Sequence, residues 1–202
     1  MSDNIGNVMF PVFLKLHQLH LLLVGGGNVG LEKLEAILKN SPQAKVTIVA
    51  GEIRRSEIHD LVAAHPYVEL HIRPFEMSDL KGKDMVILAT DSRALHENIK
   101  AKTAEMHLLT NVADTPDLCD FYLCSIVKRG DMKIGISTNG KSPTLAKRMR
   151  QYLDSSLPQT DEVQALLDNL KAVRDQLGGD FDYKVKKLNE ITESWLSNTK
   201  KQ

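Results

Sequence analysis

The seven residues VGGGNVG, Val24 to Gly30, stand between the apolar run HLLL and the helix-patterned LEKLEAILKN. That order, strand then glycine turn then helix, constrains the fold more than any other stretch of the chain. Gly25, Gly27 and Gly30 satisfy G-x-G-x-x-G, and each has a separate physical task. Gly25 permits the tight turn, Gly27 lets a pyrophosphate approach the backbone, and Gly30 lets helix and strand pack closely. The amides of Asn28 and Val29 then face an anion with the positive end of the helix dipole behind them. The loop predicts a dinucleotide site. The plainer alternative is that the three glycines only permit tight packing.

Strands and helices alternate around it. Leu19–Val24 and KVTIVA read as strands, the first of them apolar throughout, as a strand covered on both faces must be. Between them Val29, Leu31, Leu34, Ile37 and Leu38 recur at helical spacing until the breaker NSP. A helical pattern over Ile53–Ala64, the strands YVELHIRPF, DMVILAT and HLLTNVA, and the helix SRALHENIKAKTAEM complete a series ending at Ala113. Strands joined by single helices predict a parallel sheet with helices on both faces.

After Ala113 the rhythm changes. FYLCSIVKRGDMKIGIS reads as an antiparallel hairpin turning at Lys128-Arg129-Gly130-Asp131, and a hairpin turn explains the Arg-Gly-Asp better than an adhesion signal. Ser142 as N-cap and Pro143 at the first helical position open another helix. Val163, Leu166, Leu167, Leu170, Val173 and Leu177 line the next, which Gly178-Gly179 ends, and Phe181, Val185, Leu188, Ile191 and Trp195 line the last. The expected architecture is α/β: a Rossmann-type domain over 1–113, a hairpin segment over 114–141 and a small helical domain over 142–202.

Charge narrows the partners. Lys plus Arg and Asp plus Glu number 26 each, so no global charge draws the chain to nucleic acid or to an acidic membrane. No apolar run has the length of a membrane span, and the N-terminus lacks the pattern of a signal peptide. Two cysteines, Cys119 and Cys124, fit a reducing interior. A cytoplasmic protein is expected.

Candidate site residues follow from position. The second strand ends VAGE, so Glu52 stands slightly beyond the place where an acid usually meets the ribose hydroxyls of NAD. Arg54 and Arg55 close behind either receive a 2′-phosphate or belong to a solvated helix start. NAD is the expected cofactor. Asp114, past the end of a sheet strand, is placed either as a general base near the ligand crevice or as the cap of the turn ADTP. The loop ISTNGKSP before a capped helix offers backbone groups suited to an anion, with Lys128, Arg129, Lys133, Lys141, Lys147, Arg148 and Arg150 around it. That basic cluster suits a polyanion; equally it suits a solvated surface that keeps the protein soluble.

As an ordered set, FPVFLKL, VGGGNVG, VTIVAGEI, ILATD, NVADTP and ISTNGKSPTLAKRMR resemble the precorrin-2 dehydrogenase/sirohydrochlorin ferrochelatase family, from about Phe10 to Leu153. The resemblance implies an NAD-binding domain, a central hairpin segment that builds a homodimer, and a helical domain. It implies precorrin-2 as substrate, a hydride passed to NAD+, and sirohydrochlorin as product, with Fe2+ or Co2+ in transit in members that also chelate. Asp114 matches the family's catalytic aspartate. Asn28, Val29, Gly51 and Glu52 match its cofactor contacts, with Thr90 and Asp91 beside them. Asn111, Ser137, Thr138, Asn139, Gly140, Lys141, Ser142 and Arg148 are then expected at the substrate. Relatives often carry proline where this chain has Cys124. Without the methyltransferase module fused to some relatives, the chain is expected to depend on another protein for precorrin-2.

No resident metal is expected. His17 and His20 fall on opposite faces of a strand entry, Cys119 and Cys124 have the wrong spacing for a zinc knuckle, and His107 has no partner nearby in sequence. Two other function classes stay open: a module that senses NAD without turning it over, and a chelatase or tetrapyrrole carrier with a decayed nucleotide site. The first predicts a firm acid at the end of the second strand and needs no basic helix entrance.

Overall fold

The computed structural model describes residues 6–193, and Trp195 lies outside them. They divide into two compact units, Val12–Leu123 on one side and the segments 6–11 and 124–193 on the other. Each is described by itself.

The first unit begins with β1 (His20–Val24), α1 (Asn28–Asn40) and β2 (Lys45–Ala50). It continues with α2 (Glu57–Ala64), β3 (Val68–Ile72), β4 (Met85–Leu88), α3 (Arg93–Glu105) and β5 (Leu109–Val112). The five strands form a parallel sheet in the order β3-β2-β1-β4-β5. The period-two alternation of side chains explains why β1 is apolar at successive positions. Leu21 and Leu23 pack with Leu34, Ile37 and Leu38 of α1 and Ile58 of α2, whereas Leu22 and Val24 pack with Ile99 of α3. Each strand residue thus has a helix to bury against.

Two expectations shift. The second helix begins at Glu57, not at Ile53. The Arg54 amide donates to the Gly26 carbonyl at 2.9 Å, which holds residues 53–55 extended across the glycine loop before the helix can start. The strand read as YVELHIRPF is confined to Val68–Ile72, at the edge of the sheet, where Ile72 is exposed.

In register, Val24 pairs with Val49 of β2 and Leu88 of β4, and Leu88 with Val112 of β5. The residues that follow these strands therefore emerge together at one edge: Gly25, Gly51, Thr90 and Asp114. The chain leaves β1 toward β2 and later crosses to β4 on the other side, so the strand order reverses at β1. In open α/β sheets ligands bind at that reversal.

The second unit contains β6 (Ser125–Arg129), β7 (Met132–Ile136), α4 (Pro143–Ser156), α5 (Thr160–Gln176) and α6 (Phe181–Thr192). The two strands are antiparallel, with Arg129 opposite Met132, so the turn is Gly130-Asp131 alone, tighter than the four residues expected. Gly130 has φ +59°, a value that glycine adopts without cost. α4 and α5 pack on β6, burying Val127, Ala146 and Val163. Among the described residues no helix is long and apolar enough to cross a membrane.

Leu34 is fully buried between α1 and the sheet. Leu34→Ala should lower the unfolding free energy by about 2–5 kcal/mol in a urea titration, with the slope of the transition unchanged.

Candidate functional site

The glycine turn is shaped by close approach on one side and openness on the other. A Cβ on Gly25 would lie 2.3 Å from the Ala89 carbonyl oxygen, and one on Gly30 would lie 2.3 Å from the Gly25 carbonyl oxygen. Gly25 also has φ +125°. A Cβ on Gly27 would meet nothing within 4 Å, and the same holds for Gly51. Gly25 and Gly30 are therefore required by packing, while Gly27 and Gly51 border free space above the sheet edge.

Helix α1 begins at that free space. Among the described residues no side chain caps it, and no acidic residue occupies its first turn. Its leading amides and the positive end of its dipole are left for an anion, as a diphosphate group requires. These features fit a dinucleotide.

The end of β2 resolves the arginines. Arg55 pairs with the Glu57 carboxylate through two nitrogens and donates to Asn28 Oδ1 at 2.9 Å. Its hydrogen bonds hold the Glu57 carboxyl down at about 2. Arg54 lies 3.1 Å from Glu52 and 3.8 Å from Asp91. Those pairs are solvent-exposed, and exposed ion pairs exchange readily for other partners. The Arg55 pair is exposed as well, and its added bond to Asn28 ties it to the glycine loop.

Beyond β4, Thr90 sets its methyl carbon Cγ2 3.3 Å from the position of a Cβ on Gly25. Its hydroxyl lies 2.8 Å from Nε2 of His96 on α3. His96 is 4% exposed, and burial lowers its pKa, with the charge of Asp91 opposing the shift. Asp91 itself is fully exposed at the mouth.

Asp114 stands two residues past β5 with φ +55°, a left-handed value that aspartate tolerates better than most residues. It is exposed, and no hydrogen bond to its carboxylate occurs among the described residues. The turn is closed instead by the Thr115 hydroxyl on the Ala113 carbonyl, so the side-chain cap weighed for this aspartate is absent.

The segment after it is tied to the sheet at several points. The Cys119 thiol accepts from the Val112 amide at 3.2 Å, Asp117 pairs with Arg93 at 3.0 Å, and Asp120 pairs with Lys100 while accepting from the Thr110 amide. Burial raises the Cys119 pKa, which suits a bracing thiol rather than a nucleophile. Asn111 is buried, and its side-chain amide donates to the Phe121 carbonyl at 2.8 Å and toward Cys119, which braces the Asp114 segment.

In the second unit, residues 137–142 close on themselves. Asn139 and Gly140 both have positive φ, and the Lys141 amide donates to the Thr138 carbonyl, a turn of the type that Asn-Gly favours. The Thr138 hydroxyl bonds to both backbone groups of Ser142, the Ser142 hydroxyl caps the Leu145 amide, and the Ser137 hydroxyl accepts from the Asn139 amide. The loop's polar groups thus serve largely to shape it. Asp154 ties up Arg129 and Arg150. Lys128, Lys141, Lys147 and Arg148 remain exposed, with no ion pair among the described residues.

Comparison with known proteins meets this geometry. The family model described as putative NAD(P)-binding matches residues 12–125. The chain belongs to this NAD(P)-binding family. A second model, described as sirohaem biosynthesis protein central, matches residues 129–156, so the two matches cover in order the segments on which the sequence resemblance rests. A siroheme synthase of Psychrobacter sp. (strain PRwf-1) is 35% identical over 89% of this chain and 38% of its own length. One from Methylococcus capsulatus is 34% identical over 73% of this chain and 30% of its own. The chain therefore spans under two fifths of these relatives. The solved structure of SirC, a precorrin-2 dehydrogenase, has the same fold, with a TM-score of 0.73 and 24% identity over 96% of this chain and all of its own.

Within the family's nucleotide domain, the structure gathers Gly25, Gly27, Asn28, Val29, Gly30, Gly51, Glu52, Thr90 and Asp91 along one sheet edge, with Asp114 on the same edge. His96 escaped the sequence reading; a histidine on the buried face of a helix that starts at this edge was the available signal. Among the described residues no three of His, Cys, Asp and Glu gather as metal ligands.

The two kinds of glycine should separate experimentally. Gly30→Ala should lower stability by about 2 kcal/mol or more, because its Cβ must displace backbone. Gly27→Ala should change stability by about 1 kcal/mol or less yet weaken NAD binding at least about tenfold, since only the ligand needs that space. Thermal melts and calorimetric titration with NAD read the two effects.

Proposed function

We propose that the chain binds NAD and catalyses the dehydrogenation of precorrin-2 to sirohydrochlorin, with Asp114 as the base. A free carboxylate on a left-handed residue, on the sheet edge that also carries an uncapped helix N-terminus, supports this reading above all. The amides of Asn28 and Val29 would hold the diphosphate, Glu52 the adenosine ribose, and Thr90 the floor of the site. Bound NAD+ supplies the hydride acceptor. Adjacent strands are spaced by about 4.8 Å, so the ends of β1 and β5, with β4 between them, stand about 10 Å apart. Asp114 is thereby set to the side of the phosphate mouth, where it can take a proton from a large substrate lying across the edge. The oxidation removes one hydride and one proton from the macrocycle, and the carboxylate accepts the proton and returns it to water.

Exposed Lys128, Lys141, Lys147 and Arg148 match a substrate fringed with carboxylates, with Ser137, Thr138, Asn139, Gly140 and Ser142 shaping the loop that bears Lys141. β6 and β7 form a sheet of two strands only, and extension of so small a sheet by a second copy supports a homodimer formed through this hairpin. The division into a nucleotide domain over 1–113, a dimerisation segment over 114–141 and a helical domain over 142–202 belongs to the same proposal, as does a cytoplasmic location. So does insertion of Fe2+ or Co2+ as a substrate metal, with Asp114 helping to take up the pyrrole protons.

Anaerobic incubation with precorrin-2 and NAD+ tests the reading: NADH should appear in step with the sirohydrochlorin spectrum. Asp114→Ala should lower kcat by about 10²–10⁴-fold, the range of a lost general base, while NAD affinity stays within about twofold because the carboxylate is not a nucleotide ligand. NAD binding without turnover in the unaltered protein would instead mark a sensor. Normal turnover by Asp114→Ala would remove the aspartate from the mechanism.

A further inference from the structure

We infer that His96 is a positioning residue of the nucleotide site, acting on the bound dinucleotide through the hydroxyl of Thr90. The inference rests on the nucleotide reading above. His96 occupies the first turn of α3, on the buried face it shares with Ile99 and Thr103. An imidazole there is costly unless its polar atoms are matched, and an aliphatic side chain would fill the same face without that cost. The match it makes is with Thr90, at 2.8 Å. Thr90 is thereby held from two directions, its methyl group against the Gly25 turn and its hydroxyl against the ring.

What the ring gives Thr90 is a choice of role. Burial favours the neutral ring, which has one N–H and one bare nitrogen. If Nε2 is bare, the threonine hydroxyl spends its proton on the histidine and presents only lone pairs to the site. If Nε2 carries the hydrogen, it donates to Thr90 Oγ1, and the hydroxyl proton is turned outward. A phosphate or carbonyl oxygen of the dinucleotide only accepts hydrogen bonds, so where such an oxygen meets Thr90 it selects the second arrangement: His96 Nε2–H to Thr90 Oγ1, and Thr90 O–H to the ligand. A donor chain of this kind also polarises its members in the same direction.

Calorimetric titration of the full chain with NAD tests this, with ¹⁵N NMR of the histidine ring alongside. In the unaltered protein, Nε2 of His96 should carry the hydrogen, and its resonance should move on adding NAD although no ligand atom touches it. His96→Leu should weaken NAD binding about tenfold, as for loss of a hydrogen bond to a charged group, with KM for NAD rising more than kcat falls. His96→Gln, which keeps an N–H donor of similar reach, should restore most of the affinity. Thr90→Val should cost as much as His96→Leu, and the double variant no more than either, since both cut one chain. Additive losses, a Gln variant as weak as Leu, or a ring resonance indifferent to NAD would overturn the inference while leaving the nucleotide site intact. Failure of the unaltered protein to bind NAD would overturn the nucleotide reading and this inference with it. Should His96→Leu unfold, the Gln variant and the ring resonance still decide.

Discussion

Two backbone carbonyls lie where side chains would otherwise be, and the nucleotide domain is organised around that fact. The Ala89 carbonyl fills the space of a Cβ on Gly25, and the Gly25 carbonyl fills that of a Cβ on Gly30. The end of β1 is thereby clamped between the end of β4 and the start of α1. Clamping there fixes the first turn of the helix over the sheet edge, so its amides converge on one point. Because α1 also buries Leu34, Ile37 and Leu38 against the strands, the phosphate mouth is supported by the main core. Preorganised amides of this kind need little rearrangement when an anion arrives, which is how backbone dipoles gain their value.

The sequence shows this much because its signals are local. An apolar run, three spaced glycines and a helical repeat all fall within Leu19–Lys39, and each later strand of the sheet carries β-branched residues of its own. Where the structure departs from the reading, a contact distant in sequence is responsible. The helix expected from Ile53 is delayed to Glu57 by the bond from the Arg54 amide to Gly26, and periodicity carries no trace of that bond. The inward bonds of Asn111 to Phe121 and Cys119 are equally invisible to periodicity. His96 reads as a helical residue like its neighbours, and only the return of Thr90 to the mouth of the same helix gives it a partner.

Charge at the sheet edge combines pairs between near neighbours in sequence with two distant contacts. In the sequence, Arg54 and Arg55 look alike and both invite a 2′-phosphate. In the fold they differ. Arg55 is held by Glu57 and Asn28, which fixes the segment that crosses the glycine loop. Arg54 shares exposed, weaker pairs with Glu52 and Asp91. Arg55 thus reaches across to the glycine loop, while Arg54 stays with the carboxylates at the sheet edge.

Asp114 makes the same point about what a site requires. An aspartate that capped its own turn would need no further support, since the cap would hold both backbone and side chain. Here the turn is closed by Thr115, and the chain beyond is held by Cys119, Asp117 and Asp120. These ties relieve Asp114 of any structural duty and hold its backbone in a conformation few side chains accept. A strained residue persists only where its surroundings fix it. The outcome is a carboxylate kept exposed at the sheet edge and, among the described residues, without a hydrogen-bond partner.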